Sequence, residues 1–246
     1  MAKRPVFIPS STNGPLVDDF IVEFNWNPGF AVSQKQKNIK ALHSEAKING
    51  INDVLEISTK SSNDFGKKLS AFNLCLKFQN GIKLTVEQAF QGSKVFERGG
   101  PYTEFYEMSG RKIKKDPRLK NSGKLTGFNL MGMKWDLKPR TAFYDWLYIH
   151  ALDQNPQLSS ELIKYGGFSD IEFNPKKSIN CQARSAALYV SLYKNDMLVK
   201  ALSGKRIYLE MIKFNDIHQI QTQMDSFNNP DFHVDEVGFQ YNLFDQ

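Results

Sequence analysis

The segment Thr141-Ala142-Phe143-Tyr144-Asp145-Trp146-Leu147-Tyr148-Ile149-His150-Ala151-Leu152 is apolar around most of a helical circumference. A helix of that kind has no face to offer to water, so other elements must surround it. The chain therefore needs a layered core, and at 246 residues it is long enough to build one as a single domain. Around this helix the sequence predicts short strands and further helices. Val6-Phe7-Ile8 and Phe20-Ile21-Val22-Glu23-Phe24 are β-prone and separated by a Ser/Thr/Asn/Gly/Pro turn, the pattern of a strand pair. Ser33 and Gln36 have capping-box spacing and predict a helix start, with Lys35, Lys37 and Lys40 as a basic face. Leu74 to Phe78, the turn Gln79-Asn80-Gly81 and Ile82-Lys83-Leu84 predict a hairpin. It should run directly into a helix capped by Thr85 and Gln88 and stopped at Gly99-Gly100-Pro101. Helices are also expected from about Leu158 to Tyr165 and Ile179 to Tyr193, then a strand from Arg206 to Phe214. The sum is an α+β fold, helical in the middle, with short strands and hairpins.

Charge is distributed unevenly. The net charge is +6, yet six carboxylates and no Lys or Arg lie beyond Lys213, so residues 1–213 carry +12. Such a body attracts polyanions, although a well-solvated basic surface has the same composition. The apolar run Val6-Phe7-Ile8 after Met1-Ala2-Lys3-Arg4-Pro5 is too short for a signal peptide, and no stretch suggests a membrane, which predicts a cytoplasmic protein. Cys75 and Cys181 fit no metal-ligand spacing and read as thiols in a reducing compartment. The four histidines, 43, 150, 218 and 233, have no ligand spacing either, and no nucleotide-loop, zinc-protease or serine-hydrolase motif is present, so neither a metal nor a cofactor is expected. His150, inside the apolar helix, reads as a core residue.

Three groups of residues carry possible chemistry. In the helix expected after Thr85, Glu87, Gln91 and Lys94 stand at i, i+4 and i+7, which places an acid, an amide and an amine on one stripe. A solvated helix face has the same pattern. Here, though, the stripe ends near Gly99, Gly100, Pro101 and Tyr102, where bare backbone and a ring can receive a phosphate or a base. The second group follows Phe168. Asp170, Glu172 and Asn174 alternate with Ile171 and Phe173, as on one face of an extended segment, and Ser178 is placed to cap the next helix with Lys177 and Arg184 nearby. Such a helix start can hold a diphosphate or be an ordinary capped surface helix. The third group is the segment 111–124, with seven basic residues and one acid, suited to a polynucleotide backbone or simply to solvent.

The order of motifs resembles the NADAR family. Leu69-Ser70-Ala71-Phe72-Asn73-Leu74 is similar to its LSNF segment, and Thr85-Val86-Glu87-Gln88-Ala89-Phe90-Gln91-Gly92-Ser93-Lys94 to its S-x-E-x-x-x-Q-x-x-K helix. Gln154-Asn155-Pro156-Gln157-Leu158 with Leu162 resembles its QN-x-x-L segment, and Asn180-Cys181-Gln182-Ala183 lies where N-x-x-G is expected. This core covers about residues 58–192, with extensions at 1–57 and 195–246. Arg4-Pro5-Val6-Phe7, Ser58-Thr59-Lys60-Ser61 and Asp170 to Pro175 further resemble the NADAR antitoxins associated with DarT toxins. One departure is plain: the family's D-x-x-W-G segment is absent, leaving Asp170, Glu172 and Asn174 as candidates for its work.

The resemblance implies an N-glycosidase that removes ADP-ribose from guanine in single-stranded DNA, with a DarT-type toxin as possible partner. It implies Glu87 as general acid/base, and Lys94 either as an amine that forms a Schiff base or as a group that steadies ribose or diphosphate. Ser70, Asn73 and Gln91 would orient ribose hydroxyls, and Tyr102 or Trp146 would stack on a base, with core packing the alternative for Trp146. Gly99, Gly100, Lys177 and Asn180 complete the expected binding set. A non-catalytic reader of ADP-ribose, or a stoichiometric inhibitor of the toxin, is the competing class. A plain DNA-binding protein is the third.

Overall fold

The computed structural model describes residues 1–10 and 15–212 of the chain. β1 (Ala2–Pro9) and β2 (Val17–Phe24) form the expected antiparallel pair, Ala2 opposite Phe24 and Pro9 opposite Val17; most of the turn between them, 11–14, lies outside the described residues. α1 (Val32–Ile48) lays Ile39, Leu42 and Ala46 against Val6, Val22 and Phe24. It starts earlier than the spacing of Ser33 and Gln36 suggested. The Ala31 carbonyl closes the first turn by accepting from the N–H groups of Gln34 and Lys35, so Ser33 is already helical and no side chain caps the end.

β3 (Val54–Glu56) leads to α2 (Asp64–Lys68), capped by Asn63, whose side chain accepts from Phe65 N–H. β4 (Cys75–Lys77) and β5 (Lys83–Thr85) are the expected hairpin, and α3 (Val86–Gly92) follows without a break. Both halves of the Thr85–Gln88 capping box are formed. α3 nevertheless ends well before Gly99. Ser93 Oγ donates back to the Ala89 carbonyl at 2.6 Å, and the chain then turns into β6 (Lys94–Phe96), where Val95 and Phe96 gain ladder pairs that a longer helix would forgo. Lys94 is therefore a strand residue.

A 3₁₀ turn (Thr103–Glu107), α4 (Gly110–Ile113) and α5 (Arg118–Asn121) fold the basic segment over Phe96, Phe105, Ile113 and Leu119. β7 (Leu125–Leu130) then pairs with both β6 and β8 (Met133–Trp135). α6 (Ala142–Asp153) is the central helix that its sequence demanded, with Leu147, Tyr148, Ile149, Ala151 and Leu152 all at zero exposure. α7 (Pro156–Leu162) starts two residues before the expected point because Pro156 suits the first turn. β9 (Gly167–Ser169) is followed by turns over 171–180, in place of the extended segment expected there. α8 (Gln182–Lys194) begins after Cys181 rather than at Ser178, whose hydroxyl instead donates to the Asn180 carbonyl. α9 (Leu198–Leu202) precedes a helical stretch at 205–212 that replaces the strand expected from Arg206; residues 213–246, including the acidic tail, lie outside the described residues. Tyr208 and Met211 are buried on one side of that stretch while Arg206 and Glu210 are exposed, a helical period that the apolar content alone did not reveal.

Among the described residues the strands form a four-stranded sheet in the order β2-β1-β9-β3, the β4–β5 hairpin, and a three-stranded sheet β6-β7-β8. β9 runs parallel to β3 and antiparallel to β1, so the first strands of the chain share a sheet with residues 167–169. α8 brings Ala183, Ser185, Ala186 and Ala187 to the core, small side chains that let it lie close against α6. The fold is α+β.

Removing the hydroxyl at the start of α3 tests this local reading. Thr85→Ala should cost about 1 kcal/mol, the usual worth of a helix N-cap, measured by urea denaturation.

Candidate active site

α3 is short, but the polar residues on it and just beyond it are unusually deep: Glu87 is 6 % and Gln91 4 % exposed on the helix, and Lys94, the first residue of β6, is 1 % exposed. Glu87 N–H donates to the Ala71 carbonyl at 2.9 Å, which ties the start of α3 to the segment carrying Ser70. Gln91 Nε2 donates to Glu87 Oε1 at 3.2 Å, and Gln91 Oε1 has no hydrogen-bond partner among the described residues. Lys94 leaves the helix yet returns to it, its Nζ 5.0 Å from the centre of the Phe90 ring. Acid, amide and amine are thus brought together across a helix-to-strand junction. Burial pushes the Lys94 ammonium down to about 8, opposed by the charge of Glu87 and assisted by that of Lys114.

Lys114 extends the cluster to a second element. Its Nζ sits 4.5 Å from the Phe72 ring centre, and its charge acts on Asp170 as well as on Lys94. Gly110, at the start of α4, is packed so closely here that a β-carbon would lie 2.7 Å from the Phe72 ring and 3.3 Å from Glu87 Cγ. Asp170 comes from the loop after β9. Its Oδ2 accepts from Gln182 Nε2 at 2.9 Å and its Oδ1 from Glu172 N–H at 3.0 Å. Burial raises the Asp170 carboxyl well above the ordinary carboxylate range, against the pull of those hydrogen bonds. Tyr144 of α6 feels the charges of both Glu87 and Asp170, and its ring packs edge-on to Phe90 at 5.1 Å.

The other expected residues divide. Ser70 is fully buried beside Ala71, and its hydroxyl accepts from Phe72 N–H at 3.4 Å. Asn180 Oδ1 is buried without a hydrogen-bond partner among the described residues, next to the start of α8. Asn73 is exposed, and its side chain donates to the Lys67 carbonyl at 2.7 Å. Glu172 is drawn to Lys35 of α1 at 2.8 Å, Asn174 closes its own turn by accepting from Lys176 N–H, and Lys177 is exposed. Arg184 pairs with the buried Asp145 at 3.4 Å. Gly99 and Gly100 have packing reasons of their own: a β-carbon would meet the Tyr102 hydroxyl at 2.3 Å from the first and the Lys94 carbonyl at 2.1 Å from the second, whose φ is +82°. Tyr102 is wedged among Phe96, Phe105 and the Arg118 guanidinium, with its hydroxyl on Ser122. Trp146 packs between Trp135 and His150, and burial lowers the His150 imidazole to about 4.

A family model described as the DarT1-associated NADAR antitoxin matches residues 2–222. The chain belongs to that family. No curated protein matches it. The match takes in every residue of the Glu87–Lys94–Asp170 cluster and also the N-terminal strands, which lie before the NADAR core outlined from motifs. Among the described residues of this antitoxin no helix is long and apolar enough to cross a membrane, and no three His, Cys, Asp or Glu side chains are arranged to hold a metal ion.

Sequence reasoning missed Glu56, Gln182, Tyr144 and Lys114 as neighbours of the site. Gln182 lay within a quoted motif and Lys114 within the basic run, but only the fold shows what they face.

The depressed Lys94 has a stability consequence. Its folded-state value lies below the ordinary lysine value of 10.5, so as pH falls from 10.5 the unfolded chain takes up a proton that the native state refuses, and stability is lost until pH reaches about 8. Comparing Lys94→Met with the parent by urea denaturation at pH 7 and above pH 10, the difference should move in favour of the variant at the lower pH by up to about 3 kcal/mol.

Proposed function

We propose that this antitoxin is an N-glycosidase that cleaves the bond between the anomeric carbon of ADP-ribose and the exocyclic amine of guanine in DNA, and so reverses the modification made by a DarT-type toxin. The observation that carries the reading is the burial of a carboxylate, Glu87, within electrostatic reach of a depressed amine, Lys94, with Lys114 acting on both that amine and the Asp170 carboxyl. At neutral pH an amine with a value near 8 is neutral about a tenth of the time, a larger reactive fraction than an ordinary lysine offers. That favours Lys94 as nucleophile over Lys94 as a fixed cation for the diphosphate.

With the ribose ring open, C1 is joined to guanine as an imine. The Lys94 amine adds to C1, the bond from C1 to the guanine nitrogen breaks, and the two protons lost by the lysine amine end on that nitrogen, with Glu87 ferrying them. Water then adds to the lysine imine, releasing the sugar as its aldehyde and restoring the amine. Gln91 Oε1 and Asn180 Oδ1, both buried acceptors without hydrogen-bond partners among the described residues, suit ribose hydroxyls. The exposed Arg111, Lys112, Lys115, Lys120 and Lys124 around Lys114 suit the phosphates of a DNA strand whose modified base reaches the cluster. Free thiols at Cys75 and Cys181 suit the cytoplasm, where such DNA lies.

Trace protein incubated with a molar excess of ADP-ribosylated single-stranded DNA should release free ADP-ribose to completion. Glu87→Gln should lower the rate by roughly 10²–10⁴-fold with an unchanged melting temperature, and borohydride should trap an adduct on Lys94. Clearance that stops near one equivalent would favour a stoichiometric inhibitor, and undiminished release by the variant would remove Glu87 from the reaction.

A further inference from the structure

Glu56, 3 % exposed on β3, has no part in the steps above. Its Oε1 accepts from Ile171 N–H at 2.9 Å, and its Oε2 lies 2.6 Å from Ser169 Oγ. The same serine oxygen is 2.8 Å from His43 Nε2 of α1. A hydroxyl has one proton, so between a carboxyl and an imidazole it donates in one direction at a time. With Glu56 ionised, Ser169 donates to it and His43 donates from Nε2. With Glu56 protonated, the carboxyl donates to Ser169, Ser169 donates to His43 Nε2, and the imidazole carries its own proton on Nδ1. Each arrangement satisfies the serine hydroxyl and the two groups that flank it.

We propose that His43, Ser169 and Glu56 form a proton relay that sets the charge with which Asp170 meets the substrate. Glu56 is then a positioning residue, acting through Asp170. The two carboxyls share one buried region, and burial together with the charge of Asp170 holds Glu56 well above the ordinary carboxylate range, against hydrogen bonds from Ile171, Ser169 and Ser58. Burial and their mutual repulsion keep the two carboxyls from ionising together, so while the relay holds a proton on Glu56, Asp170 is free to face the sugar as a carboxylate. The other titratable groups facing the pair are Glu172 on the same loop as Asp170, Lys114 just after α4, Cys181 before α8, Tyr144 and Tyr148 of α6, and His43. Burial lowers His43 to about 4, so it passes a proton while staying neutral. On release, the Glu56 proton moves to Ser169 as the serine proton moves to His43 Nε2, and the Nδ1 proton leaves to solvent. One proton departs and no other bond changes.

The relay rests on the reading of Asp170 as part of the sugar site, but its test needs no turnover. Carbon-13 spectra of the carboxyls and nitrogen-15 spectra of the histidines in the full chain, followed against pH, should show Glu56 ionising far above the ordinary range, near pH 4. Through that step His43 should change from the Nδ1–H to the Nε2–H tautomer without gaining charge. Asp170→Asn should bring the Glu56 midpoint down by about one pH unit or more, and Ser169→Ala should leave the His43 tautomer indifferent to Glu56. Ordinary titration of both carboxyls, a fixed His43 tautomer in the parent, or a Glu56 midpoint unmoved by Asp170→Asn would each overturn the relay, whether or not ADP-ribose is released.

Discussion

One buried amide holds the parts of this protein in register. Gln182 Oε1 accepts from Ala71 N–H at 2.8 Å, while its Nε2 donates to the Ile57 carbonyl at 2.7 Å and to Asp170 Oδ2 at 2.9 Å. Segments more than a hundred residues apart in the chain therefore meet at a single side chain. Each of those partners would be left unsatisfied by an apolar replacement, and an orphaned buried polar group costs about 1–3 kcal/mol. Because Gln182 is also the first residue of α8, the same interaction positions that helix against α6 and hence against the central core.

The cluster at α3 is assembled against the preference of charged groups for water. The charge of Glu87 offsets that of Lys94, Lys114 follows the end of α4, and Asp170 is stabilised by two hydrogen bonds while burial works against its charge. Such an arrangement persists only when the surrounding fold over-determines it. Here the capping box fixes the start of α3, Ser93 its end, and the β6–β7 ladder the backbone of Lys94. Perturbed titratable groups cluster where burial and neighbouring charges are both present, at functional sites and in structural ion-pair networks alike.

Much of this was legible in the chain wherever a local pattern had no competitor. The circumference of α6, the β4–β5 hairpin and the Thr85–Gln88 box are each decided within a dozen residues, and each forms as read. Helical spacing groups Lys94 with Glu87 and Gln91 for a reason that fails, since Lys94 belongs to a strand, yet the three do converge because the junction folds its amine back over Phe90. The Ser33 and Ser178 caps fail where a nearby backbone carbonyl closes the turn first or the helix starts later. Glu56 was illegible for a different reason. A lone acid in a three-residue strand has no pattern of its own, and its significance comes from β9, more than a hundred residues away.

That parallel pairing sets Val54 opposite Gly167, Leu55 opposite Phe168 and Glu56 opposite Ser169. Side chains alternate across a strand, so a shift of one place would turn Leu55 toward the polar pocket and swing the acid into the hydrocarbon side. Sheet alignment and acid–base wiring are in this sense one property. Lengthening the chain by a single residue between Ile51 and Glu56 would disturb both together, whereas the same insertion in the exposed bend at Gln79-Asn80-Gly81 would reach neither.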